Sequence, residues 1–309
     1  MKQLALRQLY YHRDYDGVVA AAMIQASVLT ELELHPVEYR PNLKWVEQHL
    51  GLSAGVVDFL YHPKAVFWVD HHATTFSTDN LRQAFRPDLF HVFAPEAASC
   101  PSIIVRLPWF GGGAHWDDYV HWADVIDSAN YSSPAQANNL ANPHLLLSNI
   151  IAEIKEPDSL AALVRAMARE SVSHVLELEH IQATRARVLQ DDLRIREHLS
   201  QRLQLRGQVA ILDQSDLPIP YRRYLAYEYY PDIRYGIGLY RSADTTIVSV
   251  GENPWNKPGP VHLGHLCQEF GGGGRRATAG VPMPADGNVR ALAARLSDRL
   301  NEALQFSKG

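Results

Sequence analysis

Apolar residues recur along the first seventy positions as short runs, each closed by polar or charged turn residues. The clearest is Ala65–Val69, five apolar positions with no alternation. A run of that length reads as a parallel strand buried on both faces. Gln8–Tyr11, Pro36–Tyr39 and Gly55–Leu60 read as further strands. Between the first two, Val18 to about Leu32 is rich in Ala, Met, Ile and Leu, and predicts a helix. Strands alternating with helices predict an α/β fold with an open parallel sheet and flanking helices.

The pattern changes near Leu145. From there to about Leu205 the chain is nearly free of Gly and Pro after Pro157, and several helices are expected, with one or two long ones over Ser173–Leu205. The mixed signs from Arg185 to Glu197 predict a solvated helix face. Strands are expected again at Gln208–Leu212, Ile233–Tyr240 and Thr245–Val250, the last two joined by a short turn. Val289–Leu304 predicts an amphipathic helix. A length of 309 residues exceeds one ordinary core. The expected division is a first domain over residues 1–195, a linker over 196–206 at the end of a helical connector, and a smaller mixed α/β domain over 207–309.

The strand ends carry the chemistry. The first ends in His12-Arg13-Asp14-Tyr15-Asp16-Gly17, just before the predicted helix. Alternate residues of an extended segment face the same way, so His12, Asp14 and Asp16 can converge. Helix capping explains one of these aspartates and leaves the rest of the pattern unexplained. Gly55–Phe59 carries Asp58, and the Ala65–Val69 strand runs into Asp70-His71-His72. Ligands of open α/β sheets bind beyond the carboxyl ends of the strands. Further on, His121-Trp122-Ala123-Asp124-Val125-Ile126-Asp127 offers one more carboxylate, with Asp124 preferred and Asp127 able to replace or support it.

Composition narrows the partners. The formal net charge is -5, which argues against sequence-independent binding of long nucleic acid. Cys100 and Cys267 are the only cysteines, too few for a disulfide framework or a thiolate zinc site, and a reducing cytoplasm is expected. No signal peptide and no membrane span of about 18 apolar residues is expected. Near the end, Phe270-Gly271-Gly272-Gly273-Gly274-Arg275-Arg276 combines backbone freedom with two guanidinium groups and predicts an anion contact at Gly272, Gly273, Gly274, Arg275 and Arg276. Gly111–Gly113 is a weaker phosphate-loop signal. His62, His91, His115, His262, His265 and Trp255 are read as structural or capping residues.

Taken in order, His12-x-Asp14-x-Asp16-Gly17, Asp58, Asp70-His71-His72 and Ala123-Asp124 resemble the DHH phosphoesterase superfamily. The glycine-rich segment resembles the Gly-Gly-Gly-His-x-x-Ala-Ala-Gly signature of the DHH-associated C-terminal domain, with Arg275 where His is usual and Thr278 replacing the first late Ala. The resemblance covers nearly the whole chain. It implies two divalent ions, Mn²⁺ or Mg²⁺, held by His12, Asp14, Asp16, Asp58, His71 and Asp124, with Asp58 bridging. Hard carboxylates mixed with imidazole suit those ions. His72 is then expected to meet the phosphate or the leaving oxygen, and Asp70 to orient a ligand. The implied activity is phosphodiester hydrolysis of short oligonucleotides or dinucleotides, as in RecJ-like exonucleases and nano-RNA hydrolases. Two alternatives remain open: a phosphomonoesterase acting on adenosine 3',5'-bisphosphate, and a nucleotide-binding regulator with a degenerate site. No long duplex or membrane partner is expected, and a homodimer stays open.

Overall fold

Strand β1 (Gln8–His12) buries Leu9 and Tyr11 on one face and turns Tyr10 and His12 to the other, the period-two alternation of an extended chain. Asp14 ends the turn as the N-cap of helix α1 (Tyr15–Ser27), accepting the Gly17 N–H at 2.9 Å. A side chain at position 17 would put its Cβ 2.2 Å from the His12 carbonyl oxygen, so glycine is what lets the strand turn this tightly. Val18, Val19, Met23 and Ile24 are fully buried. Each such side chain contributes about 1.5–3 kcal/mol on leaving water. That burial anchors the His12–Asp16 turn.

The computed structural model describes residues 6–39, 43–217, 221–242, 245–284 and 287–306. The chain forms two compact units, residues 1–131 with 139–188 and residues 132–138 with 189–309. In the first unit, β2 (Glu33–Val37), β3 (Ala54–Val57), β4 (Phe67–Asp70), helix α2 (Asp79–Ala84) and β5 (His91–Phe93) follow α1. The five strands lie in the order β2-β1-β3-β4-β5 and all neighbours are parallel. From β1 the chain steps outward to β2, then returns to β3 on the opposite side of β1. Such a reversal leaves a crevice at the carboxyl ends of β1 and β3, the place where open α/β sheets bind ligands. Helices α3 (Cys100–Ile104), α4 (Asp117–Asp127), α6 (Pro143–Glu153) and α7 (Pro157–Met167) pack on α1. The short α5 (Pro134–Ala137) belongs to the second unit, and α8 (Val172–Val175) to the first.

The long helix α9 (Glu179–Arg202) carries the chain from the first unit into the second. Residues 196–206, expected as a linker, are its last turns and strand β6 (Leu203–Arg206), which pairs antiparallel with β7 (Val209–Gln214). After α10 (Leu225–Tyr229) come β8 (Tyr235–Ser242), β9 (Thr245–Glu252), α11 (Leu263–Gln268), β10 (Gly273–Gly274), β11 (Thr278–Met283) and α12 (Val289–Phe306). The second sheet has the order β10-β11-β9-β8-β7-β6 and is mixed, with only β7 and β8 parallel. Leu292, Leu296, Leu300 and Leu304 of α12 pack in one core with Ile237, Leu239 and Val250. The fold class is as expected: an open parallel α/β sheet and a second, mixed α/β unit. Among the described residues no helix is long and apolar enough to cross a membrane.

Candidate metal centre

Four segments of the first unit bring carboxylates and imidazoles together at the carboxyl ends of β1, β3 and β4. Asp58 stands at the middle. It follows β3 in the left-handed region, with φ 54°, and its side chain is fully buried. Such backbone conformations cost energy and persist where the surroundings over-determine them. Its Oδ2 lies 3.6 Å from His12 Nδ1, and its Oδ1 lies 3.5 Å from His72 Nδ1 and 3.8 Å from His71 Nε2. His12 Nδ1 also stands 2.9 Å from Asp14 Oδ2. His71 Nε2 stands 3.2 Å from Asp16 Oδ2 and 3.5 Å from Asp127 Oδ2.

Among the described residues, ligand atoms gather in three groups linked through shared members: His12, Asp14 and Asp58; Asp16, His71 and Asp127; and Asp58, Asp70, His71 and His72. Each set lies within 4.8 Å of itself. Among the described residues, the buried atoms His12 Nδ1, Asp58 Oδ1 and Oδ2, Asp70 Oδ2 and His71 Nε2 make no well-formed hydrogen bond, and His12, Asp58 and His71 present theirs to the charged side chains around them. Buried polar atoms are almost always satisfied, so a cluster of unsatisfied lone pairs facing one another fits a bound cation. The donor set is oxygen and imidazole nitrogen without thiolate, the chemistry of Mn²⁺ or Mg²⁺ sites.

Neighbouring groups fix the tautomers. A carbonyl only accepts, so the 3.0 Å contact of His71 Nδ1 with the Ala97 carbonyl places the proton on Nδ1 and leaves the Nε2 lone pair facing the carboxylates. Asp70 Oδ1 accepts from His72 Nδ1 at 2.9 Å and from the backbone N–H of His71 and His72 at 2.7 and 3.2 Å. Asp16 is held from behind, both oxygens 3.1 Å from the Cys100 N–H.

The electrostatics are those of crowded carboxylates. Burial, then the charges of Asp16, Asp14, Asp70 and Asp127, push Asp58 well above the usual carboxylate range. Burial likewise raises Asp16 to about 7, against the pull of the His71 imidazole beside it. Burial pulls His71 down, but Asp16, Asp127 and Asp70 outweigh it and lift the imidazole to about 9. His72 is raised chiefly by its hydrogen bond to Asp70. Without a cation, the cluster retains protons that water-exposed groups would release.

Of the expected residues, the structure gathers His12, Asp14, Asp16, Asp58, Asp70, His71 and His72. It does not bring Asp124 to them. Asp124 Oδ1 accepts the Ser99 Oγ hydrogen bond at 2.5 Å, and Asp127, one turn further along α4, stands in the cluster instead. Sequence reasoning also passed over Ser99 and Tyr39. Ser99 before Cys100-Pro101 is an N-cap signal, and it caps α3 through the Ser102 N–H at 3.2 Å. Tyr39 carries its ring 5.1 Å from that of His12 and 4.6 Å from that of Phe59, and nothing in the pattern around it marks it out.

In the second unit, the Gly272–Arg276 segment folds back on α11. The Gly264 N–H donates to the Arg275 carbonyl and the Leu263 N–H to the Arg276 carbonyl, each at 2.9 Å. Gly274 takes φ 148°, which needs glycine. The two arginines differ. Arg276 donates to the carbonyls of Val261 and Gly259 at 3.1 and 2.9 Å and lies 3.7 Å from Glu252, so it fastens the loop. The Arg275 side chain is exposed and meets no partner among the described residues. His262 caps α11, its Nδ1 accepting the His265 N–H at 3.2 Å.

No protein-family model and no curated protein sequence matches the chain. Solved structures do. The chain is similar to a pGpG-specific phosphodiesterase, PggH, from Vibrio cholerae, with 17% identity, a TM-score of 0.76, and 96% of this chain and 99% of that one covered. It is also similar to the DHH domain of a member of a ribosomal-protein family, with 10% identity, a TM-score of 0.50, and 96% and 87% covered. These likenesses are of fold: the chain folds as DHH-domain proteins do.

Proposed function

We propose that the protein is a metal-dependent phosphodiesterase acting on short linear oligonucleotides, with a 5'-phosphorylated dinucleotide such as pGpG as its best substrate. The observation that carries this reading is the set of buried, unpartnered oxygen and nitrogen atoms on His12, Asp58, Asp70 and His71, gathered at the carboxyl ends of β1, β3 and β4. The whole-length likeness to PggH supports the choice of dinucleotide.

In this reading His12, Asp14 and Asp58 would hold one divalent ion, and Asp16, His71 and Asp127 would hold a second, with Asp58 also near His71. Bound there, such ions neutralise the phosphoryl oxygens and make water a better nucleophile. The chain's residues do the rest. Asp70 fixes the His72 ring so that its Nε2 projects away from Asp70 and can meet the phosphate or the leaving oxygen. Arg275, without an internal partner among the described residues, holds a phosphate of the substrate. The net charge of -5 disfavours long polyanions and is tolerable for a substrate with few phosphates.

The test is hydrolysis with added Mn²⁺ of pGpG, a five-residue RNA, a twenty-residue DNA, adenosine 3',5'-bisphosphate and pyrophosphate. Preferential cleavage of pGpG is expected. Turnover of the bisphosphate alone would replace this reading with a phosphomonoesterase, and turnover of none, with metal bound, would replace it with a binding protein.

A further inference from the structure

Helix α4 gives one carboxylate to the cluster and a second to the segment beside it. Asp127 stands within it, 3.5 Å from His71 Nε2. Asp124 lies three positions earlier, on the same side of the helix. It accepts from Ser99 Oγ at 2.5 Å. A bond that short to a carboxylate is among the stronger hydrogen bonds. Ser99 is fully buried and belongs to a segment that touches the other two members of the same ligand group. Two residues before it, the Ala97 carbonyl accepts the His71 Nδ1 proton at 3.0 Å and sets that ring's tautomer. One residue after it, the Cys100 N–H holds both oxygens of Asp16 at 3.1 Å.

We propose that Asp124 and Ser99 are positioning residues: through one hydrogen bond they fix the 97–100 segment, and with it aim Asp16 and His71 at the ion shared with Asp127. This rests on the two-ion reading above. Of the companion group, His12 and Asp14 make no hydrogen bond or ion pair with this segment among the described residues, and Asp58 meets it only through its backbone, at the Cys100 thiol. The pair therefore acts first on the ion of Asp16, His71 and Asp127, whose ligands the segment holds through their side chains. Simple helix capping would predict a different pattern, a loss of stability of about 1 kcal/mol with no preference between ions.

The experiment is equilibrium dialysis of the full-length protein with Mn²⁺, with thermal melts of the same samples. Wild type is expected to bind two ions per chain. Asp124→Ala should keep one at wild-type affinity and bind the second about 10–100-fold more weakly, the usual cost of losing a partner that orients a ligand. Asp124→Asn retains an oxygen acceptor for Ser99 and should restore the second ion to near wild-type affinity. Ser99→Ala should behave as Asp124→Ala does, and it decides the matter should the latter not fold. Two ions bound normally by folded Asp124→Ala and Ser99→Ala would overturn the proposal, as would equal weakening of both ions. Wild type binding no Mn²⁺ would instead overturn the two-ion reading itself, and this inference with it.

Discussion

Buried Asp70 pairs with the half-buried imidazole of His72, Oδ1 to Nδ1 at 2.9 Å, while the same oxygen takes the backbone N–H groups of His71 and His72. One oxygen thus sets both the ring and the chain that carries it. Since Asp70 is the largest cause of the raised His72 pKa, removing it lowers that pKa. Asp70→Ala is expected to reduce kcat on pGpG about 10–100-fold with little change in KM. It should also move the alkaline limb of the pH–rate profile, where His72 gives up the proton it offers the phosphate or the leaving oxygen, to lower pH. Steady-state kinetics from pH 5 to 9 checks both, and a kcat within twofold of wild type would remove the positioning role.

Asp58 predicts a trade between stability and function. Its side chain is fully buried, both oxygens lack partners, and its backbone sits at φ 54°. Asparagine has the same shape, carries no charge and tolerates that backbone region well. Asp58→Asn should therefore raise the melting temperature of the metal-free protein while reducing hydrolysis by about 10²–10³, the scale of losing one charge-stabilising group at a reacting centre. Melting in a chelator and turnover in Mn²⁺ measure the two halves. Asp58→Asn that is active, or less stable without metal, would place Asp58 among structural residues.

Much of this centre is legible in the chain because its groups crowd where strands end. In His12-x-Asp14-x-Asp16 only His12 belongs to the strand, and the tight turn that caps α1 with Asp14 and places Asp16 in its first turn brings the three together, while Phe67–Val69 names its own strand by being apolar throughout. Helix α4 is harder. Asp124 and Asp127 are one turn apart and share a face, so only the placement of α4 against α1 and α3 decides which one enters the cluster. The second strand lies about three residues earlier than its pattern suggests, at Glu33–Val37 and not Pro36–Tyr39. Pro36 reads as a strand start, yet it is accommodated inside β2 because β2 is a sheet edge. Residues 196–206 lack strong apolar periodicity, and their pairing with β7 depends on a partner later in sequence.

Arg275 and Arg276 are adjacent in sequence and unlike in structure. Arg276 is committed to the carbonyls of Val261 and Gly259, whereas the Arg275 side chain is free of such bonds among the described residues. Arg275→Ala is expected to raise KM for pGpG about tenfold, roughly 1.4 kcal/mol, with kcat nearly unchanged. Arg276→Ala should lower the melting temperature as well. An unchanged KM in Arg275→Ala would withdraw it from substrate binding.

Metal affinity should rise with pH, and the sign follows from the two best-defined shifts. Asp16 is raised to about 7 by burial, and His71 to about 9 once its carboxylate neighbours overcome burial. Both must lose protons before their lone pairs can bind a cation. Mn²⁺ binding is therefore expected to strengthen from pH 6 to 9 and to release protons, fewer as the pH climbs. Calorimetry in two buffers of different ionisation enthalpy counts them. The metal-free fold should respond in the opposite sense. The raised carboxylate costs stability as pH rises from about 4, its unfolded value, to about 7. The raised imidazole contributes stability that is complete below about 6.5 and is lost as pH passes about 9. Both slopes point down, so the melting temperature in chelator should fall from pH 4 to 9 while the increment given by Mn²⁺ grows. A metal increment independent of pH, with no proton released, would mean that the ions bind elsewhere than at Asp16 and His71.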